Sequence, residues 1–361
     1  MRRRDLVSAA GTAAVATALA SPAIAQSAPP VIRWRMVSSF PKSLDTVFGG
    51  ATYLAQRVAK LTEGRFEIQA FAAGEIVGGL QVLDAVQNGT VECGHTAGFY
   101  YIGKAPALMF DTGVPFGLTP RQHISWMRYG GGLELMREMY APFGVLQFPA
   151  GNTGAQMGGW FRKEIKAIED LRGLRMRAAG FLGTVFGKLG VVVQQIPAGD
   201  IYPALERGVL DAVEWVGPYD DEKLGFNKVA NFYYGPGVME LGASIAAIVG
   251  TAKWNELPQA YKEAFEAACA EANQDMLAKY DAYNMQALRR LLAAGVQLRF
   301  WSNDIMKALQ SATNEAFAET AARDANFKRV HTAWKAFRDE QVLWNSVNDG
   351  AAAQFLNTNR G

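Results

Sequence analysis

Asp170-Leu171-Arg172-Gly173-Leu174-Arg175-Met176-Arg177 leads a loop into a short strand-like run and carries the first candidate chemistry of the chain. Alternation along a strand puts Arg175 and Arg177 on one face and Met176 on the other. An arginine at the inner end of such a strand, in a cleft, needs an anion. Its planar fork meets a carboxylate with charge-assisted hydrogen bonds about twice as strong as neutral ones. On an exposed edge strand either arginine would need no such partner. The second candidate is Asp211-Ala212-Val213-Glu214-Trp215, where Glu214 closes an otherwise apolar strand. A carboxylate there must find a cation, a metal or a proton. If a ligand carboxylate engages Arg177, two anions face one cation, and a hard cation held by oxygen atoms restores the balance. Gln156, on a crossing segment, can add an amide oxygen to that set. The plainer reading of Glu214 is a salt bridge with a neighbouring arginine. Phe40, Tyr100, Tyr101 and Trp215 offer apolar walls to such a cleft, and each would serve equally well as core.

Other chemistries lack their residues. Cys93 and Cys269 are the only cysteines, far apart and without CxxC or CxxH spacing, and His95, His123 and His331 never pair at ligand spacing. That sets aside structural zinc, iron–sulfur clusters and c-type haem. The stretch from Gly183 to Lys188 is one residue too short for a phosphate-binding loop and continues with Leu189. No GxGxxG follows a strand, and no GxSxG elbow occurs. Lys and Arg number 36 against 34 Asp and Glu, and setting aside Arg2, Arg3, Arg4 and Asp5 of a removable leader leaves the two signs equal. A neutral chain without a basic stripe is not built for nucleic acid.

The elements that must hold these residues read as α/β. The chain has 361 residues, 50% of them hydrophobic, enough for one large core or two smaller ones. Strands are expected at 31–37, 66–71, 91–95, 145–148, 174–178, 191–196, 212–216 and 244–249, alternating with amphipathic stretches on a mostly parallel sheet. Helices are expected at 44–62, stopped by Glu63-Gly64, and at 79–88, stopped by Gly89. The regions 252–294 and 304–345 are almost strand-free and read as long helices. One echo stands out: Ala85-Val86-Gln87-Asn88-Gly89-Thr90-Val91-Glu92-Cys93 matches Ala204-Leu205-Glu206-Arg207-Gly208-Val209-Leu210-Asp211-Ala212, a helix end, a glycine stop and an acidic residue entering a strand. The copies stand too far apart for a solenoid period and suggest two similar lobes.

Residues 1–25 read as a secretory signal peptide: Arg2-Arg3-Arg4, an Ala-rich apolar stretch and Ala23-Ile24-Ala25 as a cleavage site. The apolar stretch is too short and too interrupted for a membrane span. Arg3-Arg4-Asp5-Leu6 resembles the twin-arginine pattern, and the expected compartment is the periplasm.

Taken in order, the leader, the Ser38-Ser39-Phe40 loop, the Asp170 to Arg177 motif, the Gly208-Val209-Leu210-Asp211 turn and Glu214-Trp215 resemble the periplasmic substrate-binding proteins of TRAP transporters, the DctP-like family. The resemblance covers nearly the whole mature chain and is strongest to the branch that binds 2-oxo acids together with sodium. It implies that Arg177 clamps the carboxylate and that Gln156, Glu214 and the Trp215 backbone hold a sodium ion (calcium being the alternative); Glu240, Phe40, Tyr100 and Tyr101 are the further candidates for the substrate site. Arg177-Ala178-Ala179-Gly180 departs from the Arg-Val-Pro of many members. The implied architecture is a two-lobe periplasmic binding protein fold, type II-like, with a long C-terminal helical extension. Lobe 1 would span 26–150 plus 244–302, lobe 2 would span 151–243, and 303–361 would be the tail, a possible dimerisation element. Implied partners are a small carboxylate, the TRAP membrane permease subunits and a second copy of the chain. The competing reading is a periplasmic enzyme acting on a 2-oxo or 2-hydroxy acid, with Glu214 as general base. It lacks a nucleophile with a paired base and any cofactor fingerprint.

Overall fold

A computed structural model describes residues 30–237 and 240–359, so the expected leader lies outside the described residues, as do Val238 and Met239. Among the described residues the strands are β1 (Ile32–Ser38), β2 (Phe66–Phe71), β3 (Cys93–Thr96), β4 (Val145–Asn152), β5 (Gly159–Phe161), β6 (Arg175–Arg177), β7 (Val192–Gln194), β8 (Ala212–Val213), β9 (Phe232–Gly235), β10 (Ser244–Gly250) and β11 (Gln297–Phe300). They form two sheets, ordered β2-β1-β3-β10-β4 and β11-β9-β5-β8-β6-β7. The expectation of a mostly parallel sheet needs correction. β10 runs antiparallel to both β3 and β4, and β5 antiparallel to both β8 and β9, because each arrives from the other sheet and not through a crossover helix in its own.

The repeated glycine turn is the same structure twice. Gly89 and Gly208 take φ of +69° and +71°, a left-handed conformation that costs glycine little. Thr90 N donates to Ala85 O and Val209 N to Ala204 O, each at 2.9 Å. One turn feeds β3 in the middle of the first sheet, the other feeds β8 in the second. The helix Val47–Leu61 ends where expected, with Glu63 and Gly64 both at positive φ.

Two segments cross between the sheets, 153–158 outward from β4 to β5 and, among the described residues, 236–237 and 240–243 back from β9 to β10. They lie side by side: Gly237 N donates to Gln156 O at 2.9 Å, Gln156 N to Glu240 O at 3.2 Å and Thr153 N to Ala243 O at 3.0 Å. The third link is a 35-residue helix, Gln259–Ala293. Its buried positions Tyr261, Phe265, Ala268, Ala272, Met276 and Tyr280 follow three- and four-residue spacing, so one face stays against the body of the protein. The chain then enters β11, which pairs with β9. Residues 297–300, expected in the first lobe, therefore belong to the second sheet.

The tail folds as the helices Asn303–Arg323, Ala325–Val347 and Asp349–Thr358. Ser302 and Asp324 cap the first two, accepting from Ile305 N and Phe327 N. Phe327, Val330 and Trp334 are buried, with Phe327 and Trp334 in ring contact with Phe110. Further on the helices expose Leu343, Trp344, Val347, Phe355 and Leu356, each at least 59% accessible.

Candidate functional site

The ends of β6 and β8 and the first crossing segment converge on one cavity, lined by Arg177, Glu214, Trp215 and Gln156 together with Phe40 and Tyr100. Its free space is about 20 Å³, little more than one ordered water requires. Thr153 adds a hydroxyl to the wall, and the remainder is apolar, with Val47, Phe99, Val216 and Ile245 its larger side chains.

Arg177 is 1% exposed, and period-two alternation accounts for its face but not its depth. Arg175, on the same face two residues earlier, is exposed and pairs with Asp211, its Nε 2.8 Å from Oδ2 and its Nη2 2.7 Å from Oδ1. Only Arg177 reaches the cavity. Its Nη1 donates to the Glu214 carbonyl at 2.5 Å and stands 3.8 Å from Glu214 Oε2. The guanidinium lies 4.7 Å above the Trp215 ring, a cation–π contact that holds the fork in place.

Glu214 follows β8 directly, and Glu214 N donates to Arg177 O at 3.0 Å, which locks the two charged residues side by side. Burial pushes its carboxyl up to about 8, with Arg177 pulling down and Asp221 pushing further up. Glu240 is buried and held well above the usual carboxylate range, first by burial and then by Glu214, with Arg177 opposing. It is not part of the cavity wall but stands behind it, beside Gln156 on the paired crossing segment. The Tyr100 hydroxyl feels the same group of charges and is pushed up to about 12, mainly by burial.

Gln156 Nε2 donates to Thr153 Oγ1 at 3.1 Å, and Oε1 is buried without a hydrogen-bond partner. Trp215 Nε1 is likewise buried and unpartnered. The site thus presents one orphaned acceptor and one orphaned donor beside a buried Arg–Glu pair. Thr153, which orients the amide, gave no sign of this in the sequence, since a lone threonine after a strand is common in turns.

Tyr101 requires a correction. Its hydroxyl lies 2.7 Å from Thr96 Oγ1 and accepts from Leu83 N at 3.2 Å, so the ring belongs to the core of the first sheet and not to the cavity. Tyr100 and Tyr101 end the short 3-10 helix Gly98–Tyr101, where three residues per turn send neighbouring side chains in different directions. Among the described residues no cluster of three His, Cys, Asp or Glu side chains could hold a metal, so a cation here would depend on amide and carbonyl oxygens beside Glu214. No helix among the described residues is long and apolar enough to cross a membrane.

Comparison with known proteins places relatives beside this geometry. The sequence pattern described as bacterial extracellular solute-binding protein, family 7, the DctP family, matches residues 37–324. A protein of Nostoc sp. strain PCC 7120 described as a monocarboxylate 2-oxoacid-binding periplasmic protein is 53% identical over 365 aligned residues, covering 100% of both chains. A TRAP transporter solute-binding protein of Bordetella bronchiseptica, a mixed-occupancy dimer with copurified calcium and picolinate, is 51% identical with a TM-score of 0.90, covering 91% of this chain and 98% of its own. A TRAP periplasmic solute-binding protein of Pseudoalteromonas atlantica with bound sodium and pyruvate is 36% identical with a TM-score of 0.86, covering 90% of this chain and 98% of its own.

Proposed function

The chain belongs to the DctP family of bacterial extracellular solute-binding proteins, and from that premise we propose that it captures a small 2-oxo monocarboxylate such as pyruvate together with a sodium or calcium ion and hands it to a TRAP permease in the membrane. The observation that carries this reading is the orphaned Gln156 Oε1 in the same buried cavity as Glu214 and Arg177. Amide oxygen, carboxylate and the Trp215 carbonyl are the donors a hard cation prefers. Arg177 supplies the fork for the ligand carboxylate, and the orphaned Trp215 Nε1 can donate to a ligand oxygen. The cation supplies charge: Arg177 alone faces Glu214, Glu240 and the ligand's own carboxylate. A calcium ion makes up that deficit whole, and a sodium ion does so when one carboxyl keeps its proton. The relatives described above bind picolinate with calcium and pyruvate with sodium, which supports both choices of ion.

The two sheets are read as two lobes, with the crossing segments and the Gln259–Ala293 helix joining them. The small size of the cavity fits a ligand enclosed by closure, since pyruvate could not pass walls this tight without their parting. The leader at 1–25 is read as the export signal, with Arg3-Arg4 pointing to the twin-arginine route.

Titration calorimetry of the mature protein against pyruvate, longer 2-oxo acids, lactate and succinate, each with sodium, with calcium and with chelator, tests the reading. Tight binding of 2-oxo monocarboxylates only when a cation is present is expected, and no binding of any acid under any condition overturns it. Mass spectrometry of the recovered acid should find it unchanged. Conversion beyond the amount of protein would put the enzyme reading first.

The exposed row of Leu343, Trp344, Val347, Phe355 and Leu356 supports a homodimer through the tail, since monomers rarely expose so contiguous an apolar patch. Removing residues 349–361 and changing Trp344→Glu should halve the mass seen by light scattering, with ligand affinity retained. An unmodified protein that is monomeric at every concentration would remove the dimer.

A further inference from the structure

Two polar contacts join segments that adjoin lining residues of the cavity in sequence, and neither involves a residue that lines it. Val47 forms part of one wall and Val216 part of the other. Just before Val47, in the loop after β1 of the first sheet, Thr46 Oγ1 donates to Asp220 Oδ1 at 2.5 Å. Asp220 sits just after Val216, in the helix Pro218–Leu224 that follows β8 of the second sheet. Thr46 and Asp220 are 1% and 0% exposed, and the other Asp220 oxygen accepts from Tyr280 of the long helix at 2.6 Å. Next to this buried contact, at the surface, Asp45 pairs with Lys223, and Tyr219 Oη donates to Asp45 Oδ2 at 3.2 Å.

We propose that Thr46, Asp220, Asp45 and Lys223 form a latch between the two walls, and that its strength sets how tightly the protein holds a ligand that none of the four touches. The inference rests on the solute-binding reading above. A ligand enclosed by both walls binds the closed arrangement, so its apparent affinity is the intrinsic affinity scaled by the fraction of molecules that are closed. The contact between Thr46 and a buried carboxylate exists only while the walls are together. The long helix that carries Tyr280 is tied to the Pro218–Leu224 helix through Tyr219 N donating to Asn284 Oδ1 at 3.1 Å and Arg290 pairing with Glu222, and to the Asp45 turn through Lys279 Nζ donating to Asp45 O at 3.0 Å, so the Thr46–Asp220 contact is the buried side-chain link between the two that opening would break. The latch residues are therefore positioning residues, acting through the closed fraction and not through the ligand.

The test is the dissociation rate of pyruvate, followed by tryptophan fluorescence in stopped flow with calcium present, for Thr46→Val, Lys223→Met and Thr46→Ser. Thr46→Val should speed dissociation about ten-fold, as loss of a hydrogen bond to a charged group implies. Lys223→Met, at the exposed pair, should act less. Thr46→Ser keeps the hydroxyl and should stay within two-fold of the unmodified protein, a rescue that a purely structural role for the methyl group would not give. A Thr46→Val protein with unchanged dissociation overturns the latch. If the unmodified protein binds no acid at all, the functional reading fails separately, and small-angle scattering of the ligand-free protein then decides the latch. Expansion in Thr46→Val relative to the unmodified protein supports it, and an unchanged curve overturns it.

Discussion

Arg177→Lys should weaken binding of the cation-loaded protein to pyruvate by about 1.5–3 kcal/mol, roughly 10- to 150-fold. The charge survives the substitution, but the geometry does not. In the folded protein the guanidinium does three jobs at once: Nη1 donates to the Glu214 carbonyl at 2.5 Å, Nε reaches the Ile196 carbonyl at 3.5 Å, and the plane stacks on Trp215 at 4.7 Å. These contacts fix the plane of the fork before a carboxylate arrives, so little freedom is lost when two parallel hydrogen bonds form. An ammonium group is a point charge on a flexible stem and can neither stack in that way nor offer a paired edge. Calorimetry on a variant whose thermal unfolding shows it folded checks the expectation. An unchanged dissociation constant would mean that the carboxylate is held elsewhere.

The motif that carries Arg177 was legible because the chemistry is local. Asp-Leu-Arg-Gly-Leu-Arg-Met-Arg names a turn and a strand, and alternation names the face. What alternation cannot supply is depth. Arg175 and Arg177 share a face, yet one is exposed on Asp211 and the other is buried under Trp215. The length of β6, three residues, means that one step along the strand passes from rim to interior. The aromatic candidates divide for the same reason. Phe40, Tyr100 and Trp215 line the cavity, whereas Tyr101 turns into the core, and the direction is set by a four-residue 3-10 helix too short to show a periodicity in sequence.

The larger strands of the first sheet lie within a few residues of their expected positions because they are long enough to show a pattern. The strands β5, β9 and β11 leave no strand pattern in the sequence. β5 is three buried residues, Gly-Trp-Phe, without alternation, and β9 is Phe-Tyr-Tyr-Gly followed by Pro236, which reads as a turn. β11 is a half-exposed edge strand with too little apolar contrast to declare itself. Residues 297–300 therefore fall in the second sheet, beside β9, although the sequence groups them with the first lobe. The repeated glycine turn is legible across 119 residues because its backbone requirement, a left-handed residue four positions after the same carbonyl acceptor, leaves a mark on residue type. The orphaned Gln156 oxygen had no such mark, since it depends on Thr153 claiming the amide's other end.

Removing the cation should cost more than any single side chain. In the chelated, sodium-free protein, pyruvate affinity is expected to fall at least about 100-fold, near 3 kcal/mol, because the ligand carboxylate would then share a buried cavity with Glu214 and with Glu240 behind it, opposed by Arg177 alone. Burial pushes the Glu214 carboxyl up, so a cation bound at this carboxylate favours its ionised form while offsetting the charge of the ligand. Reciprocity follows: if sodium or calcium raises the affinity for the acid by some factor, the acid raises the affinity for the ion by the same factor. Glu214→Gln is nearly isosteric and should leave the fold intact while flattening this mutual dependence, so that the variant binds pyruvate weakly and to the same extent with or without the ion. Paired calorimetric titrations, acid into ion-loaded and ion-free protein and ion into acid-loaded and acid-free protein, measure both limbs of the cycle. If the ion-free protein holds pyruvate as tightly as the loaded form, Glu214 is no metal ligand. Its partner is then Arg177, whose Nη1 stands 3.8 Å from its carboxylate, and the cavity is neutralised by that pair instead of by a metal ion.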